Sequence, residues 1–390
     1  MSGWLIAVHC GAGRYSSSTE ASYLSLIRSA LTDAHDVITN STSPPTAAQL
    51  AVRLLHSFEH SPLTNAGFGS NLTEEGRVEC EASVVCGQTH LVGCCGAVTG
   101  VKEPSALALK LLEQVQGNDS TSSFAFGRQP PLVVVGEHAR RLAREFGLET
   151  AAEDGDVLKK YQITAKAHEH FIKWHERFQA LRGSTDDDDE RLDTVGAICM
   201  DPKGNVAAAL SSGGVAYKIP GRLGLAACPR MGCDASNGQF CALKCRKRKR
   251  RKQKKVKNAF AVACTGRGER FIQSALVTLL TLRLRKSTNL EQCLRKAFIE
   301  ASDANGGVGV EGGVLAFVSP HEATSGLRQI QLGAAFTTPC MGVGYLQCQD
   351  DATKLQVHAQ ILRQPASSFV VGKKQSLSTH VSILHLDVEK

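Results

Sequence analysis

Apolar and amphipathic segments alternate along the first part of the chain. The apolar segment Trp4–Cys10 precedes a Gly-Ala-Gly sequence, which predicts a buried strand that enters a tight loop. Ala21–Ile38 and Ala47–Phe58 carry apolar residues at helical spacing, which predicts two amphipathic helices. Further strands are predicted at Val78–Val85, His90–Val98 and Pro131–Gly136, and further helices at Pro104–Val115 and Glu137–Phe146.

A polar region in the middle of the chain separates this block from a second one. Val157–Leu181 is polar with scattered aromatic residues, which predicts a helix on the surface. Residues 183–193 are acidic and of low complexity, so we predict a flexible linker there. Directly afterwards, Thr194–Met200 and Asn205–Leu210 are apolar and joined by an Asp-Pro-Lys-Gly turn, which predicts a β-hairpin.

The second block again mixes strands and helices. Its predicted elements are a strand at Ala259–Cys264, a long helix at Arg270–Leu284, a helix at Asn289–Ala304 and several strand-like segments near the end. The chain has 390 residues, 42% of them hydrophobic, which is enough for a large core. We therefore predict an α/β protein built from packed layers.

The sequence gives no sign of a membrane or secretory location. It has no run of about 18 apolar residues, so no membrane-spanning helix is predicted. The first residues lack a basic flank, a long apolar region and a small-residue cleavage site, so no secretory signal is expected. The expectation is an intracellular protein with no membrane partner.

The 14 cysteines fit that expectation, since disulfides are rare in reducing compartments. Several lie in apolar, strand-like stretches, where free cysteine behaves as a small buried hydrophobe. The clearest are Cys94, Cys95, Cys199 and Cys264. A looser group comprises Cys228, Cys233, Cys241 and Cys245. Because this group has no CxxC pair, we predict no zinc site.

The positive charge of the chain is concentrated in one loop, residues 244–257. The net charge is +8, and residues 246–257 contain ten Lys or Arg and no acid. We predict a nuclear-import signal recognised by an import receptor, and hence a nuclear as well as cytoplasmic location. Its densest part is Arg246, Lys247, Arg248, Lys249, Arg250, Arg251 and Lys252. Nonspecific contact with nucleic acid and a plain solvated loop remain alternatives; without aromatic residues the tract does not indicate base stacking.

The position of Thr194, directly after the predicted linker and at the start of the predicted hairpin, makes it a candidate nucleophile. A threonine hydroxyl needs a neighbouring base, and an N-terminal threonine carries its own in the α-amino group. If the hydroxyl of Thr194 attacked the carbonyl of Asp193, an ester would form, and its hydrolysis would free that amino group. Spacing alone does not establish this reaction, because threonine is common in strands.

Several motifs in order resemble the plant-type asparaginase and aspartylglucosaminidase family of N-terminal nucleophile hydrolases. They are His9–Gly13, Asn65–Ser83, Thr194–Gly214, Lys218–Gly224 and Thr265–Glu269. The resemblance implies a four-layer αββα sandwich. It also implies an α subunit (residues 1–193) and a β subunit (residues 194–390) that form both sheets jointly, as one domain. The two fragments would stay associated after cleavage and pair into an (αβ)2 dimer.

The same resemblance implies a role for individual residues. Thr194 would be the nucleophile, and the hydroxyl of Ser212 would hydrogen-bond near it. Thr265 and Gly266 would donate to the oxyanion. The further residues assigned near the reaction centre are Asn65 and Gly11. Beside them, His9 is expected to be a packed histidine and Glu269 a helix-start acid.

Substrate preference is inferred from a departure within the family pattern. Amino-acid amidases of the family follow their arginine with Val-Gly-Asp, whereas here Arg222 is followed by Leu-Gly and Leu225. Without that acid a free α-amino group lacks a counter-charge, while Arg222 would still bind an aspartate carboxylate. This departure favours an endopeptidase. Within the family the chain resembles the threonine-aspartase branch in the stretches SPLTNAGFGSNL, VECEAS and ERLDTVGA, and that resemblance implies cleavage of proteins after aspartate. Expected substrates carry an exposed Leu/Val-Asp stretch, with nuclear transcription regulators as the implied class.

Two other functions stay open on the sequence. One is an asparaginase or isoaspartyl peptidase of the same fold, and the other is a catalytically silent nuclear binding protein that uses the basic loop. The chemistry of the proposed site requires no metal or organic cofactor. A structural sodium ion near Ser61–Ala66 is implied by the resemblance alone.

Overall fold

The structure is a computed structural model that describes residues 3–117, 129–153, 155–180, 194–238, 258–320, 327–348, 355–365 and 378–389. Within these ranges the chain forms two β-sheets that pack face to face, with helices on their outer sides. This is the predicted four-layer αββα arrangement. None of the helices in these ranges is both long and apolar enough to span a bilayer.

The larger sheet has eight strands in the described part of the chain. In spatial order they are β12 (Val357–Arg363), β11 (Cys340–Gln347), β1 (Leu5–Gly13), β5 (Val195–Met200), β6 (Val206–Ser212), β2 (Cys80–Cys86), β3 (Val92–Val98) and β4 (Val133–Val135). Neighbours are antiparallel except for β3 and β4. Strands from before and after Thr194 therefore share this sheet, and β1 lies between β11 and β5.

The smaller sheet is antiparallel and has five strands in the described ranges. They are β13 (His380–Glu389), β10 (Leu327–Phe336), β9 (Gly312–Ser319), β8 (Ala259–Gly266) and β7 (Cys233–Ser236). All five follow Thr194 in the chain. The expectation that both sheets combine the two predicted subunits is therefore wrong for this sheet.

Helices cover the outer face of each sheet. The larger sheet carries α1 (Ser17–Asn40), α2 (Ala47–Glu59), α3 (Pro104–Val115) and α4 (Gly136–Glu145). On the side of the smaller sheet lie α7 (Gly268–Ser274), α8 (Leu276–Leu284) and α9 (Leu290–Ala304). Strand β1 illustrates the layering, because Leu5 and Ala7 point between the sheets while Ile6 and Val8 point to the helices.

Two predicted helices are each divided in the structure. The predicted helix Val157–Leu181 is instead α5 (Gly155–Lys160) and α6 (Ala165–Gln179), because Gln162 between them adopts a left-handed φ of 64°. The predicted helix Arg270–Leu284 is α7 and α8, interrupted at Ala275, which has a φ of 52°. Neither position is a glycine, so the sequence offers no residue that marks the break.

The predicted hairpin at Thr194 is confirmed as β5 and β6. The cysteines in the described ranges are free, and the four expected in strands are fully buried: Cys94, Cys95, Cys199 and Cys264. Strands β7 and β12 were not predicted. The first is very short and the second alternates polar with apolar residues at the edge of the larger sheet.

Candidate active site

Thr194 lies directly before β5 and is nearly buried, with 5% of its surface exposed. The antiparallel pairing of β5 with β6 sets Val195 opposite Ser211, which brings Thr194 beside Ser212. The hydroxyl of Thr194 donates to Oγ of Ser212 over 3.1 Å. The main-chain N–H of Gly214 donates to the same Oγ over 3.0 Å. The hydroxyl proton of Thr194 is therefore directed towards Ser212.

The turn after β6, Gly213–Gly214, is fixed by two asparagine side chains. Nδ2 of Asn65 and Nδ2 of Asn71 both donate to the carbonyl of Gly214, over 2.7 and 2.9 Å. The N–H of Gly213 donates to the carbonyl of Asn65 over 2.7 Å. Since the turn directly follows Ser212, these bonds also fix the position of the Ser212 hydroxyl.

A buried lysine holds the same turn from another direction. Nζ of Lys218 donates to the carbonyl of Gly213 over 2.6 Å and also to the carbonyl of Glu79. Burial lowers the pKa of Lys218, although the neighbouring Glu81 opposes the shift. The loop from Gly213 to Lys218 is thus held at its start by hydrogen bonds to main-chain carbonyls.

A small pocket that opens to solvent lies at this end of the sheets. Its lining residues are Asn65, Glu81, Thr194, Ser212, Gly214, Val215, Arg222, Leu225, Gly266 and Gly268. Five residues predicted from the sequence are therefore brought together around one cavity: Thr194, Ser212, Asn65, Arg222 and Gly266. In the described part of the chain, Gly11 and Thr265 do not belong to this lining.

The positive group of the pocket is the guanidinium of Arg222. Its Nε and Nη2 donate to the two carboxylate oxygens of Glu269 over 2.8 and 2.7 Å. Its Nη1 lies 3.9 Å from Oε1 of Glu81. Burial lowers the pKa of Arg222, but Glu269 and Glu81 outweigh this and raise it. The guanidinium is therefore charged and already has one carboxylate partner.

Glu81 is an acidic residue of the pocket that sequence reasoning missed. Its side chain is buried, and its Oε2 accepts from the N–H of Gly224 over 2.5 Å. Burial raises the pKa of Glu81, against the opposing charges of Lys218 and Arg222. Its carboxylate is thus engaged by the loop that carries Arg222.

The pocket is also lined by Gly266, at the end of β8. Gly266 has a φ of 145°, and a side chain there would reach within 2.7 Å of the Cα of Gly312. Only glycine fits this close approach of two strands. Thr265 is fully buried and pairs with Gly313 inside the smaller sheet. The structure therefore assigns Gly266 to the cavity wall and Thr265 to the sheet beside it.

Gly11 and His9 lie on β1, next to the start of β5. His9 pairs with Gly196, so Gly11 lies two residues further towards the Thr194 end of the sheet. The hydroxyl of Tyr15 donates to the carbonyl of Gly11 over 3.0 Å. His9 is fully buried, as expected of a packed histidine, and burial lowers its pKa to about 3 against the effect of the Thr194 main chain.

Behind the nucleophile strand lies a buried acid, Glu59, at the end of α2. Its carboxylate accepts from the hydroxyl of Ser211 over 2.6 Å and from the hydroxyl and N–H of Ser105 over 2.8 and 2.9 Å. Burial raises the pKa of Glu59 to about 7, although these hydrogen bonds oppose the shift.

The segment near Ser61–Ala66 presents several main-chain carbonyl oxygens. Carbonyl oxygens of Glu59, Ser61 and Thr64 point at Gly67 and Gly69 so closely that a side chain on either glycine would collide with them. Carbonyl oxygen is a suitable ligand for such ions. Among the residues that the structure describes, no group of three or more His, Cys, Asp or Glu is arranged to hold a metal ion.

Several predictions fall outside the described residues. They concern Asp193 at the cleavage site, the linker 183–193, the basic loop 244–257 and the cysteines Cys241 and Cys245.

Sequence reasoning missed the residues that support the predicted ones. They are Asn71, Lys218 and Glu81. The pairing of Glu269 with Arg222 was missed as well. The first three lie inside the quoted motifs but were given no role. Their contacts join segments up to about 140 residues apart along the chain, as between Lys218 and Glu79, and no local pattern reports such a contact.

Comparison with known proteins identifies the family. A family model described as asparaginase matches residues 2–246. An isoaspartyl peptidase of Escherichia coli (strain K12) is 28% identical over 354 residues, which cover 87% of this chain and 95% of that protein. An isoaspartyl peptidase/L-asparaginase of Xenopus laevis is 25% identical over 355 residues, covering 90% and 98%. A plant-type L-asparaginase of Pyrobaculum calidifontis is 31% identical over 291 residues, covering 74% and 80%. The chain therefore belongs to the asparaginase family of N-terminal nucleophile hydrolases.

Proposed function

We propose that this hydrolase is a threonine endopeptidase of the taspase type. It cleaves itself between Asp193 and Thr194 and then cuts protein substrates after aspartate. The observation that carries the proposal is the contact of Thr194 with Ser212 in a pocket whose charged wall is Arg222.

Self-cleavage begins at the hydroxyl of Thr194. Its oxygen attacks the carbonyl carbon of Asp193, and the C–N bond to the nitrogen of Thr194 breaks while that nitrogen takes up the hydroxyl proton. The product is an ester between Asp193 and Thr194. Water then hydrolyses the ester, which restores the Thr194 hydroxyl and leaves Asp193 as a free carboxylate.

Turnover uses the amine that self-cleavage sets free. The α-amino group of Thr194 accepts the hydroxyl proton as the oxygen attacks the substrate carbonyl. Donors on the wall at Gly266 stabilise the resulting oxyanion, and Ser212 keeps the attacking oxygen in place. The oxyanion then collapses, the peptide C–N bond breaks, and the α-amino group passes the proton to the leaving amine. Water hydrolyses the remaining acyl ester, which restores the Thr194 hydroxyl and completes the cycle without a cofactor.

The preference for aspartate comes from Arg222 and from what surrounds it. A guanidinium recognises a carboxylate through paired N–H bonds. Leu225 lines the pocket where amidases of the family have an acid, and it leaves a substrate ammonium without a counter-charge. Glu81 lines the same pocket, but its carboxylate is engaged by Gly224 and the nearby cations. Both features favour a residue inside a polypeptide over a free amino acid.

The second candidate is an asparaginase or isoaspartyl peptidase, which the names of the relatives favour. The two functions are separated by assaying the processed enzyme on three substrates. These are a peptide with an internal Leu-Asp sequence, free asparagine and an isoaspartyl dipeptide. The proposal predicts cleavage of the first after aspartate, with little turnover of the others. Dominant turnover of asparagine or the isoaspartyl dipeptide would replace it with the second candidate.

Further properties complete the proposal. The fragments assemble as (αβ)2, and a structural sodium ion binds near Ser61–Ala66. The loop 244–257 directs import into the nucleus, where transcription regulators are the substrates. Deletion of residues 246–257 should abolish nuclear accumulation of the fluorescently tagged protein and leave peptide cleavage intact. Unchanged nuclear accumulation of the deletion variant would contradict the import role. A wild-type protein that enters the nucleus but cleaves no peptide would instead indicate a silent nuclear binding protein.

A further inference from the structure

The guanidinium of Arg222 carries N–H donors on more than one edge. The edge formed by Nε and Nη2 is bound by both carboxylate oxygens of Glu269. Arg222 lines the pocket, whereas Glu269 is 54% exposed and, in the described chain, is not part of the lining. Glu269 therefore binds the guanidinium from outside the cavity.

The other edge of the guanidinium faces inward. A side chain built on Gly214 or on Gly224 would meet Nη1 first among Arg222 atoms, at 3.0 and 2.5 Å. Arginine has five N–H donors, of which the fork to Glu269 uses two. The donors on Nη1 thus remain on the pocket side of the guanidinium, where they can reach a substrate carboxylate.

The fork to Glu269 is the contact that sets the plane of the guanidinium. Glu81 is 3.9 Å away from Nη1, which is too long for a hydrogen bond. An arginine side chain has many rotamers, and a bidentate carboxylate restricts it to one plane. Loss of the fork would leave Arg222 charged but free to turn its inward donors away from the pocket.

The fork also joins two loops that line the pocket. Glu269 follows Gly266 by three positions, and Arg222 lies in the loop after β6. Gly268 packs so closely on this loop that a side chain there would meet the N–H of Leu225 at 2.9 Å and Nη2 of Arg222 at 3.2 Å. The loop that carries Arg222 and the loop that follows Gly266 are thus held together at the rim of the pocket.

We propose that Glu269 is a positioning residue for substrate recognition: it holds Arg222 from outside so that the inward edge of the guanidinium selects a carboxylate. This inference rests on the proposed function. Glu269 leaves the donors of Nη1 to the substrate carboxylate, because its own two oxygens bind Nε and Nη2.

The substitution Glu269→Gln tests this proposal, because the loss of charge and the loss of positioning predict opposite changes in KM. Removing a negative charge beside Arg222 would, by charge alone, attract an aspartate substrate more strongly and lower KM. Loss of positioning has the opposite effect. For a half-exposed pair contributing up to about 1 kcal/mol, KM for the Leu-Asp peptide should rise about fivefold. We expect kcat to change by less than about twofold, since the nucleophile is untouched.

Two controls isolate the role of Arg222. Glu291→Gln removes a carboxylate of similar exposure, 53%, that pairs with Arg295 on α9. Because Glu291 does not line the pocket, KM should not change. In an Arg222→Gln background, Glu269→Gln should raise KM no further, because its effect passes through the guanidinium.

The outcomes separate this inference from the proposed function. A wild-type enzyme that fails to cleave the Leu-Asp peptide refutes the proposed function. A wild-type enzyme that cleaves it, combined with an unchanged or lower KM in Glu269→Gln, refutes the positioning role alone. A rise in KM that persists in the Arg222→Gln background also refutes it.

Discussion

Ser211 and Ser212 are neighbours on β6 whose side chains point to opposite faces of the larger sheet. Ser212 accepts the hydrogen bond of Thr194 on the inner face. Ser211 donates to the buried carboxylate of Glu59 on the helix side. The same residue type thus serves the reaction at one position and the core at the next.

This pair predicts two different losses. Ser212→Ala should lower kcat for peptide cleavage about a hundredfold, because the acceptor that orients the nucleophile is removed. Ser211→Ala should lower the free energy of unfolding by about 1 to 3 kcal/mol, because a buried carboxyl loses a donor. Denaturant unfolding and peptide kinetics on both variants check the prediction. Equal effects of the two substitutions on kcat would contradict it.

Glu59 predicts a pH-dependent stability. Its pKa is raised from 4.5 to about 7 in the folded protein, so the folded state retains a proton that the unfolded chain loses between these values. The stabilisation is complete below the unfolded value and is lost as the pH rises through 7, by up to about 3 kcal/mol. Glu59→Gln has no such proton. The unfolding free energy of the wild type relative to Glu59→Gln should therefore fall between pH 5 and pH 8 in urea titrations. A constant difference would show that Glu59 titrates normally.

At the residue scale, sequence reasoning found the groups that the family motifs contain. It located Thr194, Ser212, Asn65, Arg222 and Gly266, which now line one pocket. It could not find their partners, since the pairing of Arg222 with Glu269 depends on how two distant loops pack. Local spacing carries no information on such a contact.

The elements were predicted well where periodicity is strong and poorly where a single residue breaks it. The apolar hairpin of β5 and β6 appears as expected. The division between α7 and α8 does not, because Ala275 adopts a left-handed conformation that its residue type does not favour. The surrounding packing of the two helices must impose this conformation.

Ala275 therefore predicts an unusual response to substitution. Glycine adopts a φ of 52° without the strain of a Cβ, so Ala275→Gly should retain or raise stability despite its more flexible unfolded chain. Ala275→Val should lower it by about 1 to 2 kcal/mol. Thermal unfolding of both variants measures the difference. A valine variant more stable than the glycine variant would rule out the left-handed conformation.

At the scale of the whole molecule, the layered architecture was predictable and the division of its sheets was not. Strand β1 precedes Thr194 yet is paired on one side with β5 and on the other with β11. By contrast, the strands of the smaller sheet in the described ranges all follow Thr194. Strand order is a long-range property, so the alternation of apolar and polar residues does not determine it.

This topology predicts that the two fragments remain associated after cleavage. If the fragments separated, β5 and β11 would each lose the strand β1 that pairs with them, and the buried residues Leu5, Ile6 and Val8 would become exposed. The fragments should therefore elute together in size-exclusion chromatography under native conditions and separate only in denaturant. Elution as two independent species in native buffer would contradict the role of β1.

The central claim is that Thr194 becomes the nucleophile by becoming an N-terminus. Its most direct measurement is intact-mass analysis of purified protein after incubation, for the wild type and for Thr194→Val. The account predicts that the 41.7 kDa wild-type chain gives two fragments, the second beginning at Thr194, while the variant stays whole and inactive. An uncleaved wild-type chain that still turns over substrate, or an active Thr194→Val variant, would contradict it.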